Sequence, residues 1–174
     1  MSRLCFPMLH RRSRAGALVC SPMKRYLLAA LVVGTLDISE VMIVTLLKGG
    51  APLKIFQGIA SAIYGKASFE GGTRTILIGL LMHYLIAASV VAVYFLASRK
   101  LAILNRHPVL TGAIYGVGVY LFMNFVVLPA VGMAPKFTTF GVVNQLFCHI
   151  VLIGITTGLF ARGQYMGTPE AVPA

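Results

Sequence analysis

At 174 residues, with 58% hydrophobic and only 11% charged side chains and a mean hydropathy of +0.87, this chain is not an ordinary soluble domain. Its net charge of +11 would suit nucleic acid. However, the basic residues flank long apolar runs, and no recognition module is left once those runs are set aside, so no nucleic-acid partner is expected. Three cysteines, Cys5, Cys20 and Cys148, form no CxxC pair and leave an odd number, which argues against a disulfide framework or a zinc ribbon.

Residues 1–22 are basic, contain two prolines and show no sustained period, which predicts a disordered arm. Translation from Met23 is an alternative start, because MKRYLLAALVVG opens a plausible membrane segment. A cleaved secretory signal suits that stretch less well, since its apolar run continues to Leu47 with no small-x-small site after it. Residues 26–47, YLLAALVVGTLDISEVMIVTLL, are long enough to cross a bilayer, which takes roughly 20 residues. Gly49 and Gly50 are the expected stop. Asp37 and Glu40 fall past the middle of this run, three residues apart and so on one helical face. The Leu, Ile and Val residues contribute about −5 kcal/mol to insertion, and two central acids return about +5 to +7. Partner helices must therefore help hold this span.

The stretch from 52 to 66 is too short to cross. Leu53, Phe56, Ile59, Ala60, Ile63 and Ala67 recur at helical spacing, with Lys54, Gln57 and Ser61 on the other side. This predicts an amphipathic helix lying in the interface, with a re-entrant segment or an ordered loop as alternatives. A second span over 75–98 carries His83, and Arg99 to His107 forms a short basic turn. The third span, 109–131, starts behind His107-Pro108 and carries Asn124 together with Gly112 and Gly116. After Pro129, Gly132 and Pro135, the fourth span, 138–161, carries Asn144, Gln145 and His149 with Gly154 and Gly158. Both glycine pairs have small-xxx-small spacing, which suits close packing within one bundle or association with a second copy. Residues 163–174 form a short tail. The expected fold is thus an all-α integral membrane protein, with a membrane domain over 23–162 made of four transmembrane helices plus one amphipathic interfacial helix.

Six basic residues precede the first span; Arg99, Lys100, Arg106 and Arg162 share their predicted side. Lys48, Lys54, Lys66, Arg74 and Lys136, with Glu70, lie opposite. The balance favours cytoplasmic termini and contact with anionic lipid headgroups. At about 1.5 Å per residue, Asp37, Glu40, His83, Asn124, Asn144 and His149 then fall roughly 9 to 16 Å from the outer helix ends. Each of the four helices therefore places a polar side chain in the outer half of the bilayer.

Three readings of this layer are open. It could be structural, with hydrogen bonds between helices typically contributing about 0.6 kcal/mol and Asp37 and Glu40 neutral or paired with His83 or His149, in a scaffold or assembly protein. It could form a polar pathway or small-solute site, proton-linked because acids and histidines in such a layer can exchange protons near neutral pH. Or its two histidines could clamp a haem or, with the acids, hold a metal. No Glu-x-x-His or His-x-x-His pair supports that third reading, and no cofactor is implied. Ser39 lies between the acids without the spacing of a nucleophilic triad, so the chain does not read as an enzyme.

From His83 to Phe160 the chain resembles the YagU-like family of bacterial inner-membrane proteins. The likeness rests on a His-led apolar helix, a basic turn, GAIYGVGVYLFMNFVVLPAVGMAP and NQLFCHIVLIG. Its signatures here are the Pro129, Gly132 and Pro135 punctuation and Asn144 followed by Phe147 to His149. The resemblance implies a bacterial inner-membrane location and, through the family's name alone, an association with acid resistance. It covers less than half the chain and supplies no counterpart of Asp37 and Glu40.

Overall fold

The computed structural model describes residues 22–134 and 137–162. The basic arm, the tail and Pro135 lie outside the described residues, except that Pro22 opens the first helix. The chain is an all-α membrane protein with four helices long and apolar enough to cross a bilayer: α1 (Pro22–Leu47), α3 (Gly72–Lys100), α5 (Pro108–Ala130) and α6 (Thr139–Ala161). Between them lie the shorter α2 (Leu53–Tyr64) and α4 (Ala102–Arg106). Leu31, Leu81, Ile114, Phe125 and many other large apolar side chains are exposed around the four long helices. Such continuous apolar exposure marks a lipid-facing surface.

Helix ends follow local chemistry. In α1, Gly49 takes φ 72° and donates to the Leu46 carbonyl while Gly50 donates to Thr45. In α5, Gly132 takes φ 74° and donates to Pro129 while Met133 donates to Leu128. Both are Schellman caps, which need a left-handed residue that glycine supplies without strain. Helix α6 starts on Thr138, whose hydroxyl accepts from the Gly141 N–H at 3.1 Å. Helix α3 runs from Gly72 to Lys100 rather than over 75–98, and α1 starts at Pro22. Backbone hydrogen bonding has no reason to stop where the hydrocarbon does, so flanking polar residues continue the helices. The basic turn likewise contains a five-residue helix, α4.

Two stretches depart from α geometry. Residues Met123–Val127 in α5 and Cys148–Ile155 in α6 widen to π-helical turns. The first lies just ahead of Pro129, which has no N–H to offer the Phe125 carbonyl. In the second, the Thr156 hydroxyl donates back five residues to Val151 at 3.2 Å. Pro129 does not end its helix, in keeping with a span expected over 109–131; the cap at Gly132 does.

The four long helices pack in the order α3, α1, α6, α5. A methyl group added at Gly112 or Gly116 would collide with backbone at Gly154 or His149 of α6. One added at Gly154 or Gly158 would collide with backbone of α5 at Gly112 or Pro108. These glycines are thus consumed inside the bundle, which removes the basis for predicting self-association through them. At the end of the bundle holding the start of α1, Ala29, Ala30, Val33, Val91, Tyr94, Phe95, Ile153 and Ala161 form an apolar core.

Helix α2 packs on α3 so closely that a methyl group at Gly79 would collide with the Phe56 carbonyl. Its orientation corrects the expected one. Gln57 is buried beside Phe56 and Ala60 and donates to the Phe69 carbonyl at 3.4 Å, whereas Leu53 and Ile63 are exposed. The amide can turn inward because the chain following α2 supplies an acceptor.

Gly154→Ala should destabilise the fold by about 1 to 3 kcal/mol, since neither backbone can yield. Gly118→Ala, whose new methyl meets open space, should change stability by less than about 0.5 kcal/mol. Reversible unfolding in mixed detergent micelles checks both.

Candidate functional site

One face of α1 builds the first wall of a cavity. Asp37, Glu40, Val41, Val44, Thr45 and Lys48 recur at helical spacing and all line it. His83 joins from α3, Asn124 from the wide turn of α5, and Asn144, Gln145, Cys148 and His149 from α6. Ile55 and Ile59 of α2 complete the wall, so α2 sits against the cavity as well as against α3. The cavity holds about 430 Å³ and reaches the end where α1 stops and α6 begins, where Lys48, Phe140 and Gly141 line it. All seven polar residues singled out in the sequence, Asp37, Glu40, His83, Asn124, Asn144, Gln145 and His149, thus face one space. A smaller void of about 50 Å³ continues inward, lined by Asp37, His83, His149 and apolar side chains that include Val33 and Ile153. Since Val33 and Ile153 belong to the apolar core, the polar surface ends there.

Hydrogen bonds fix most side-chain orientations. His83 Nε2 lies 2.8 Å from the Gly34 carbonyl oxygen. A carbonyl only accepts, so Nε2 carries the proton, and Nδ1 is bare whenever the ring is neutral. That Nδ1 faces Asp37 Oδ2 at 4.0 Å. A proton on Nδ1 would make the two an ion pair. Gly34 permits this arrangement because α1 and α3 meet closely there; even a methyl group would press on the Tyr84 ring at 2.9 Å. His149 has the opposite assignment: Nδ1 donates to the Gln145 carbonyl at 2.8 Å, leaving Nε2 bare. Its ring stands edge-to-face with Tyr120, 5.6 Å between centroids.

The amides are fixed by the same logic. Asn144 Nδ2 donates to Glu40 Oε1 at 2.7 Å, tying α6 to α1. Asn124 Nδ2 donates to the Tyr120 carbonyl at 2.9 Å and to Gln145 Oε1 at 3.4 Å, tying α5 to α6. The Cys148 thiol donates to Asp37 Oδ1 at 3.0 Å. Glu40 therefore pairs with an amide and not with a histidine, and among the described acids only Asp37 approaches an imidazole. Lys48 stands at the rim with its ammonium 3.9 Å from the centre of the Phe140 ring.

Three contributors escaped the sequence reading. Cys148, weighed in the sequence only against a disulfide framework or zinc ribbon, is buried and bonds Asp37; its place four residues after Asn144 was the available signal. Lys48 continues the Asp37 stripe by eleven residues. The Gly34 carbonyl carries no side-chain signal at all.

Among the described residues no group of three or more His, Cys, Asp or Glu side chains could hold a metal ion. Nor does the donor set fit a bis-histidine haem, because His83 Nε2, the nitrogen such a ligand offers, is engaged by Gly34. No family model, curated protein or solved structure matches the chain.

Nitrogen-15 chemical shifts of the two imidazoles in lipid nanodiscs should show neutral His83 as the Nε2–H tautomer and neutral His149 as the Nδ1–H tautomer. The same tautomer at both would contradict these assignments.

Proposed function

We propose that this protein binds a small solute rich in N–H or O–H donors, best satisfied by an alkylammonium group, in the membrane-embedded cavity. One observation carries the reading: the cavity wall is rich in unused acceptors. Asp37 Oδ2, Glu40 Oε2, Asn124 Oδ1 and Asn144 Oδ1 accept no hydrogen bond from the described residues, against fewer unspent donors: the Gln145 amide nitrogen, the second N–H of Asn144 and the Lys48 ammonium. Neutral His83 Nδ1 and His149 Nε2 add two more acceptors. Two carboxylates among them favour a cation over a neutral polyol. The apolar core at the inner end supports binding in a one-ended cavity over free permeation through a continuous pore.

Binding by this site is proton-linked. A ligand ammonium and a proton on His83 compete for the same Asp37 oxygen, and protonation of either carboxylate removes an acceptor. Affinity for an amine therefore falls as pH falls, by at most about tenfold per pH unit for one linked proton. The rival structural reading draws on the bonds that join α1 to α6 and α5 to α6. It predicts loss of stability without any ligand.

The proposal places the protein in a bacterial inner membrane with cytoplasmic termini. Support comes from the basic residues before α1, in its first turn and around α4 and from the resemblance of its second half to the YagU-like family.

Butylamine titrated calorimetrically into protein in nanodiscs should bind, more weakly at pH 5.5 than at pH 7.5 by the linkage above. Asp37→Asn with Glu40→Gln should lower affinity by about tenfold or more, the scale of a charge-assisted hydrogen bond, while helix content is kept. A lack of butylamine binding by the parent protein at either pH contradicts the proposal.

A further inference from the structure

Helices α3 and α5 are the two ends of the packing order, and tyrosine side chains link them at one end. There the Tyr94 hydroxyl lies 2.8 Å from Thr111 Oγ1, and the Tyr115 hydroxyl donates to the Val90 carbonyl at 2.6 Å. Beyond Tyr115 a groove of about 520 Å³ opens between the two helices, lined by Gly118, Leu85, Val93 and Phe122 among others. Leu85, Val93 and Phe122 are exposed side chains on membrane-spanning helices, so the groove faces lipid. Its hydroxyl groups are already satisfied, Tyr115 by Val90 and Ser89 by the Leu85 carbonyl. The groove is apolar in effect as well as in composition.

What distinguishes it from an ordinary lipid-filled crevice is its connection. Ile86 and Met123 line the groove, the small inner void and the polar cavity alike. The inner void shares Asp37, His83 and His149 with the cavity, and Val90 and Val119 with the groove. Ile86 and Met123 therefore stand between the lipid-facing groove and the space that Asp37 lines. A methionine readily changes rotamer, and Met123 also stands at the start of the wide turn of α5. The aqueous approach is less favourable for a cation, because Lys48 lines the rim of the cavity.

We infer that the ligand is a membrane amphiphile, a single-chain alkylammonium compound that enters sideways between α3 and α5. Its ammonium group sits against Asp37 and Glu40, and its hydrocarbon chain lies in the groove over Gly118. The head meets the acceptors described above, and the chain never leaves an apolar environment. This inference rests on the amine-binding proposal and specifies both the ligand class and its route.

Dodecylamine carrying a diazirine in mid-chain tests it, with the full-length protein in zwitterionic-lipid nanodiscs. After irradiation, label should concentrate on α3 and α5 residues lining the groove, well above the lipid-facing side of α1. Excess dodecylamine should displace it. Glu40→Gln should reduce groove labelling by about tenfold through loss of the charged acceptor. Gly118→Phe, which directs a ring into space that no neighbouring atom occupies, should reduce it several-fold while the melting temperature stays near that of the parent. Uniform labelling of all lipid-facing helices, or groove labelling that survives both substitutions, overturns the inference. Butylamine binding by the parent protein separates the two levels. If butylamine binds but labelling is uniform, the lateral route fails and the amine site stands; if it does not bind, the amine-binding reading itself fails.

Discussion

A polar group placed among hydrocarbon chains must find its partner inside the protein, and that constraint organises this bundle. Asp37 and Glu40 bring two carboxylates into a span whose other side chains are largely apolar. Each is met from a different helix. Asn144 and Cys148 of α6 donate to them, and His83 of α3 turns its bare nitrogen toward Asp37. Gly34 leaves room for the Tyr84 ring of α3 while its carbonyl faces His83, and four glycines bring α5 against α6, where Asn124 meets Gln145. Interhelical hydrogen bonds of this kind contribute about 0.6 kcal/mol each on average. Their number is too small to hold the fold alone, so they specify which faces meet while packing supplies the bulk of the stability.

The two ends of the bundle use polarity in opposite ways. Near the start of α1, the hydroxyls of Tyr26, Tyr94 and Tyr115 are each spent on a neighbouring acceptor, and their rings pack edge-to-face around an apolar core. Near its end, the polar side chains are only half spent, and a cavity of about 430 Å³ separates them. Tyrosine hydroxyls spent at one end and polar side chains half spent at the other suit a firm base beneath a binding site, although Asn105 Oδ1 and Thr157 Oγ1 stay without a partner at the first end. The wide turns of α5 and α6 both fall at the cavity and supply Asn124, Cys148 and His149. Such π-helical insertions often mark functional sites because they re-aim side chains without breaking the helix.

Much of this architecture is legible in the sequence, and the reason is physical. Four apolar runs of spanning length admit few folds, and a polar residue inside such a run is conspicuous. Counting residues gives depth along a helix axis, so Asp37, His83, Asn124 and Asn144 could be assigned to one layer. Depth carries no information on rotation about that axis. Glu40 was therefore open to pairing with either histidine, where the structure gives it Asn144. Gln57 looked like the polar side of α2 because the Phe69 carbonyl that receives it is set by the turn that follows. Gly112, Gly116, Gly154 and Gly158 announced close packing without saying against what. The wide turn at Cys148–Ile155 has no composition signal of its own.

The central claim is that the polar layer forms a water-reachable cavity open at one end and sealed by an apolar core at the other. Single cysteines at positions 40, 144 and 145, and at 33, 91 and 153, in an otherwise cysteine-free chain, test it with a membrane-impermeant maleimide applied to sealed vesicles of either orientation. The first three should react from one side of the membrane only, and the last three from neither. Reaction of both sets, or of the first set from both sides, would contradict a one-ended cavity, and failure of all six to react would contradict a wet one.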